Sequence, residues 1–330
     1  MGWLTIGLIV ALIAVLIAEF INGWTDAPNA IATVISTGVM SPRSAIVMAV
    51  VMNTIGAMAG TAVAATVGKG IVESSALSLA TITATMISII IWGSFAAKVG
   101  MPISKSHALL AGLAGAGVAG GGIEALQSAG WVKVFLGMFC AIPFGLFASW
   151  LISKAIVAFA GRMKPGPAKR LFDQAQIVSA GFMAFNHGLN DGQKFMGVFA
   201  LTLMLGGATK TFEIPFWVIL VCALTMGAGT SFGGWKIIAT VGSKMTKIQS
   251  WQGFAATASA SMTIFAASMF GIPLSTTHTI TSCIVGAGAV RRLGDVRWGV
   301  LRRIGLAWVV TFPVCAAIAF VAAKIAIWLF

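Results

Sequence analysis

FINGWTDAPNA at residues 20–30 and FNHGLNDGQKF at 185–195 place phenylalanine, glycine and aspartate in one register, at an offset of 165. A second pair extends the match. GMPISKSHALLAGLAGAGV at 100–118 lies against GIPLSTTHTITSCIVGAGA at 271–289, with seven of nineteen positions identical. Between these pairs, ATVG at 65–68 recurs at 239–242. Glycine and alanine matches arise easily in an apolar chain. Two aspartates and two histidines recurring in the same order do not, so the chain reads as a duplication.

Composition says what is duplicated. Of 330 residues, 58% are apolar and 9% charged, against roughly 45–50% and 25% in soluble domains. A soluble enzyme is excluded. Apolar segments run over approximately 3–38, 44–67, 77–97, 100–119, 131–153, 176–205, 214–235, 250–270, 272–290 and 304–328, about ten at some 20 residues per crossing. The most polar internal stretch carries Lys154, Arg162, Lys164, Lys169 and Arg170 around Pro165-Gly166-Pro167. The organisation expected is a first transmembrane repeat at 1–153, a basic cytoplasmic linker at 154–174 and a second repeat at 175–330.

The charge pattern orients it. The chain carries 21 Lys+Arg against 8 Asp+Glu, a net charge of +13. These cations fall mostly between apolar runs, the positive-inside pattern of a membrane protein and not a nucleic-acid footprint. Five segments per half is an odd number, so the second half should run inverted. Matching loops agree: 120–130 has Glu124 and no cation, whereas its counterpart carries Arg291, Arg292, Arg297, Arg302 and Arg303. The fold expected is an all-α polytopic membrane protein of two inverted-topology repeats with broken or re-entrant helices. Both termini would lie outside a prokaryotic cytoplasmic membrane. The run from Trp3 to Ile21 has no basic flank before it and reads as a retained span, not a signal peptide. Cys140, Cys222, Cys283 and Cys315 sit inside apolar runs without paired spacing, so neither a disulfide framework nor a zinc site follows.

Three carboxylates lie within apolar segments: Glu19, Asp26 and Asp191. Ionisable groups there are costly and mark functional sites. Gly23 and Pro28 flank Asp26, and Gly188 and Gly192 flank Asp191. Helix breaks are therefore expected at both places, the sequence pointer to a transport site near the midplane. The structural alternative is that these carboxylates cap half-helices or pair with Lys194 or His187. The second constellation is Pro102-Ile-Ser104-Lys105-Ser106-His107 with Pro273-Leu-Ser275-Thr276-Thr277-His278. Gly-x-Pro followed by hydroxyls and an apolar run predicts a helix start. One cap needs one hydroxyl, and here there are two and three. Two such termini converging would make a tetrahedral-oxyanion site. A Ser104–His107 hydrolytic pair lacks a third group, and three histidines in separate segments make a poor metal set.

FINGWTDAPNAIAT at 20–33, HGLNDGQK at 187–194, GGWKIIATVG at 233–242 and the PISKSH and PLSTTH pair resemble the inorganic phosphate transporter family of ion-coupled permeases, over nearly the whole chain. The resemblance implies symport of phosphate with Na+ or H+, no enzymatic activity, no cofactor beyond the coupling ion, and a homodimer in the lipid bilayer. It implies that Asp26, Asn29, Asn190 and Asp191 are cation and substrate ligands, with Na+ held among them. Asn22 and Glu19, about one and two turns before Asp26, complete the cation-coupling set. Ser104, Ser106, Ser275, Thr276 and Thr277 become the phosphate-facing hydroxyls, with Lys105 beside them. Two residues depart from the family: Lys105 stands where a small hydroxyl residue is usual, and Pro28 lies within the first signature. Lys105 would either contact phosphate, replace a coupling cation, or snorkel to the headgroups. Sulfate is the alternative substrate, and an anion channel the rival class.

Overall fold

The computed structural model describes residues 6–290 and 292–329. Trp3, at the start of the first apolar run, and Arg291 of the basic cluster lie outside the described residues. Among those described the chain is helical apart from two isolated antiparallel bridges, Val72 with Leu126 and Thr246 with Val296. The first half holds α1 (Ile6–Asp26), α2 (Pro28–Ser36), α3 (Pro42–Met58), α4 (Ala62–Lys69), α5 (Leu79–Val99), α6 (Lys105–Gly121) and α7 (Ser128–Ala160). The second holds α8 (Pro165–His187), α9 (Gln193–Leu205), α10 (Phe216–Thr230), α11 (Trp235–Ala239), α12 (Ser250–Met269), α13 (Thr276–Gly288) and α14 (Trp298–Leu329). Residues 154–174 are largely helical, as the end of α7 and the start of α8, with a short turn at 161–164 between them.

Among the described residues, four stretches are long and apolar enough to cross a membrane: Ile6–Ser36, Leu79–Val99, Ser128–Ala160 and Trp298–Leu329. They become six if two bent pairs each count as one crossing, α3 with α4 at 72° and α10 with the stretch Trp235–Lys244 at 64°. Several apolar segments of the sequence are too short for a full crossing. At about 1.5 Å per residue, α6 and α13, with 17 and 13 residues, reach roughly 26 and 20 Å of a roughly 30 Å hydrocarbon core.

The two signature sites differ locally. After Asp26 the helix breaks at one residue, Ala27, which keeps helical angles (φ −46°, ψ −40°) while Pro28 opens the next helix. Proline has no N–H to continue the ladder, and the first turn is where that loss is tolerated. At Asp191 the expected break is absent. The chain runs from α8 through one π-helical turn, Gly188–Gly192, straight into α9. A π turn accommodates an extra residue without unwinding the helix, so the flanking glycines serve packing instead. A Cβ on Gly188 would meet the backbone carbonyl of Asn53 on α3.

The short helices are the core and the long ones its coat. Every residue of α13 is buried, as is most of α6, α9 and α2. In α7 and α14 only 22% and 28% of the most apolar stretch is covered, leaving Phe135, Phe139, Phe147, Val309, Val321 and Ile325 exposed. Such apolar outer faces are what lipid requires. The packing crosses between halves: α6 lies on α14, and α13 on α7. Each contact has a glycine at its centre, Gly115 against the backbone of Ala316 and Gly286 against that of Leu146. Without side chains there, helices approach closely enough for dispersion to hold them in lipid.

Candidate functional site

The site forms where α6 and α13 start. Ser104 and Ser275 are the N-caps, each hydroxyl accepting the backbone N–H of the histidine three residues on, at 3.2 and 3.3 Å. One hydroxyl per helix is thus spent on capping. The others cross the junction. Ser106 donates to the carbonyl of Leu274 (3.1 Å), and Thr277 donates to that of Ile103 (3.4 Å). The two helix N-termini therefore meet head to head, each stitched to the loop that precedes the other. Their free amides and positive dipole ends face a common region lined by Ser106, Thr276 and Thr277.

The carboxylates approach from the signature segments. Asp191 is fully engaged: Lys194 donates to Oδ1, Thr276 donates to Oδ2 at 2.7 Å, and His187 Nε2 lies 3.2 Å from Oδ2. Asp26 is held more loosely. Lys105 Nζ is 3.6 Å from its Oδ1, to which Thr25 donates at 3.3 Å, while Oδ2 has no hydrogen-bond partner among the described residues. Lys194 also donates to Ser106 Oγ at 2.5 Å and to the Leu274 carbonyl at 2.7 Å. Asn29 donates to Thr277 at 3.0 Å and to Thr276 at 3.4 Å. All of these groups are at most 2% exposed.

Electrostatics require the lysines. One donor atom each from Asp26, His187 and Asp191 fall within 4.8 Å of one another. Two carboxylates at that separation repel by roughly 3.5 kcal/mol at an effective dielectric of about 20. Lys105 and Lys194 supply one positive charge to each. The four-charge cluster is balanced without any added ion.

Of the residues singled out in sequence, Asp26, Asn29, Asp191, Lys105, Ser106, Thr276 and Thr277 converge here. Lys105 is buried beside Asp26 and does not snorkel to the headgroups. Asn190 faces away: its amide donates to Ser268 (2.8 Å) and to the Ile272 carbonyl (3.3 Å). Asn22 donates to Glu19 at 3.2 Å, and this pair is buried on the inner side of α1 with no direct hydrogen bond to either aspartate among the described residues. The imidazoles of His107 and His278 stack edge to face with centroids 4.5 Å apart, and His107 also packs on Phe312. The hydrolytic pair is therefore not assembled.

Lys194 and His187 enter the site as direct partners of Asp191, a role the motif reading offered only as the structural alternative. The register held the clue for Lys194. At the offset of 165 it stands opposite Asn29, and both donate into the hydroxyl cluster.

Known proteins resemble this chain over most of its length. A probable low-affinity inorganic phosphate transporter of Rhizobium meliloti (strain 1021) is 40% identical over 322 residues, 94% of each chain. A protein of the same description from Bacillus subtilis (strain 168) is 37% identical over 317 residues, 95% of each chain. A solved structure, described as the sodium-dependent phosphate transporter, superposes with a TM-score of 0.91 over 99% of this chain and all of its own, at 24% identity, a likeness of fold. The model of the phosphate transporter family matches residues 22–319, nearly the whole apolar body and every residue of the site apart from Glu19, and the chain belongs to that family.

Proposed function

We propose that this chain imports inorganic phosphate by symport with Na+ or H+, through a site opened alternately to the two sides of a cytoplasmic membrane. The observation that carries the reading is the head-to-head meeting of α6 and α13, with hydroxyls between them and a charge-balanced carboxylate cluster alongside. Phosphate takes the amide ends of both helices, the hydroxyls of Ser106, Thr276 and Thr277, and Lys105; Ser104 and Ser275 hold the caps in place. Asp26, Asn29 and Asp191 face the coupling ion. Cation and anion loaded together cost less to move through a low-dielectric interior than either alone, and that difference is the coupling. The unpartnered Oδ2 of Asp26 can accept a hydrogen bond from a protonated phosphate. Sulfate has no such proton near neutral pH, which favours phosphate.

Purified protein in proteoliposomes, given radiolabelled phosphate and sulfate with sodium and pH gradients imposed separately, tests this reading. Phosphate should accumulate against its gradient under at least one of them, and a tenfold excess of sulfate should compete poorly. Equal uptake of both anions, or no accumulation under either gradient, would reject it.

The repeats at 1–153 and 175–330 are inverted in this proposal, with the basic turn between α7 and α8 inside and both termini outside, and the molecule works as a homodimer. The crossed packing of α6 on α14 and α13 on α7 supports a two-fold relation between the halves. Single cysteines at Arg43 or Arg297 should react with impermeant maleimide only from the cytoplasmic side, and one at Glu124 only from outside. Labelling of residues 124 and 297 from the same face would remove the inversion.

A further inference from the structure

Aligning the two halves of the site residue by residue exposes a mismatch. Asn29 corresponds to Lys194 at the offset of 165, and Thr276 corresponds to Lys105 at the offset of 171. The matched positions keep matched geometry. Asn29 donates to Thr277, as Lys194 donates to Ser106; Thr276 donates to Asp191, as Lys105 pairs with Asp26. At each of the two positions, then, one half carries a neutral residue and the other an ammonium, and each aspartate has one lysine.

The surroundings of the Lys194 ammonium are those of a hard cation. Lys194 Nζ has three oxygen partners: a carboxylate of Asp191, the Ser106 hydroxyl and the Leu274 carbonyl. Carboxylate, hydroxyl and carbonyl oxygens are also the ligands that hard metal cations choose. An ammonium has three hydrogens, and all three are used. Its stem is sealed in: Lys105 and Lys194 are the largest side chains that are all but fully buried. A sodium ion at Asp191 would have to displace a covalently tethered ammonium of equal charge, and one at Asp26 would have to settle beside another, 3.6 Å from Oδ1.

We infer that Lys105 and Lys194 are built-in cations, occupying at Asp26 and Asp191 the positions a coupling sodium would otherwise take, so that this chain moves phosphate without drawing on sodium there. The inference rests on the proposed transport reading and selects among its coupling ions.

The design of the test comes from the chain itself. Lys105→Thr and Lys194→Asn install at each position the residue the other half already carries, which limits steric cost. Uptake of radiolabelled phosphate into proteoliposomes under an inward pH gradient is compared in sodium chloride and choline chloride. Wild-type rates should agree within twofold in the two salts. The double variant should fall at least tenfold in choline and recover most of that loss in 100 mM sodium. Thermal melting of the detergent-purified proteins reads cation binding without transport, because a bound ion stabilises the folded state by mass action. Sodium should leave the wild-type midpoint unchanged and raise that of the double variant by several degrees.

Sodium stimulation of the wild type above fivefold, or a sodium-dependent wild-type midpoint, would overturn the inference. So would a double variant that works normally in choline, or one whose loss sodium does not repair; the latter would limit the lysines to binding phosphate. If the double variant does not fold, the two wild-type measurements still decide. Absence of wild-type phosphate uptake in every salt, together with sodium binding gained by the double variant, would sink the transport reading and leave the cation assignment standing.

Discussion

Asp191→Asn and Asp26→Asn should each lower the initial rate of coupled phosphate uptake by at least a hundredfold while the protein still inserts, and both should cost stability, the first more than the second. The two carboxylates share a charge role but not a structural one. Asp191 Oδ1 and Oδ2 are engaged by Lys194, Thr276 and His187 at once. Its amide variant keeps the shape but leaves the Lys194 ammonium buried against neutral partners, an arrangement that typically costs about 3–5 kcal/mol. Asp26 sits 3.6 Å from Lys105 with one oxygen unpartnered, so its amide variant also strands a buried ammonium but gives up fewer hydrogen bonds. Uptake assays would fall together, whereas thermal melts would separate, with Asp191→Asn shifted down by several degrees more. Near-normal uptake by either variant would make that carboxylate structural. Equal melting shifts would mean that the tighter hydrogen bonding around Asp191 carries no stability.

These residues also show what could be read from sequence and what could not. Asp26 and Asp191 were legible because a carboxylate inside an apolar segment has few structural excuses, and a recurrence at fixed offset removes most of the rest. The hydroxyl clusters were legible as helix starts, and both did start helices, at Lys105 and Thr276. The helix break at Asp26 was announced by Pro28. The continuous helix at Asp191 was not, because glycine permits a break without forcing one; whether it becomes a break or a π turn depends on the α3 backbone that Gly188 meets. Asn190 was placed in the site by the family resemblance. One residue along a helix turns a side chain by about 100°, enough to aim it at Ser268 instead. Lys194 was visible as a letter but not as a partner. Its Ser106 and Leu274 contacts span 88 and 80 residues, and only tertiary packing brings them together.

The crossed packing of the half-helices makes the second large prediction. Gly115 on α6 and Gly286 on α13 correspond at the offset of 171. Each faces the backbone of the long helix at the end of the other half, at Ala316 and at Leu146. A side chain at either point meets a carbonyl group, which has no rotamer to move out of the way. Adding even one methyl group to a well-packed contact costs about 1–3 kcal/mol when side chains can adjust, and here the adjustment must be a shift of a whole helix. That shift would pull the helix start off its partner and open the Ser106–Leu274 and Thr277–Ile103 bonds together. Gly286→Ala and Gly115→Ala should therefore lower the melting midpoint by several degrees and weaken phosphate uptake at least tenfold. Gly286→Leu should yield no monodisperse protein after detergent extraction. Gly294→Ala, where an added Cβ meets nothing within 4 Å, should behave as wild type. Full uptake by Gly286→Ala would show that α13 can slide on α7 without disturbing the site, and the two N-termini would then not owe their alignment to the long helices they rest on.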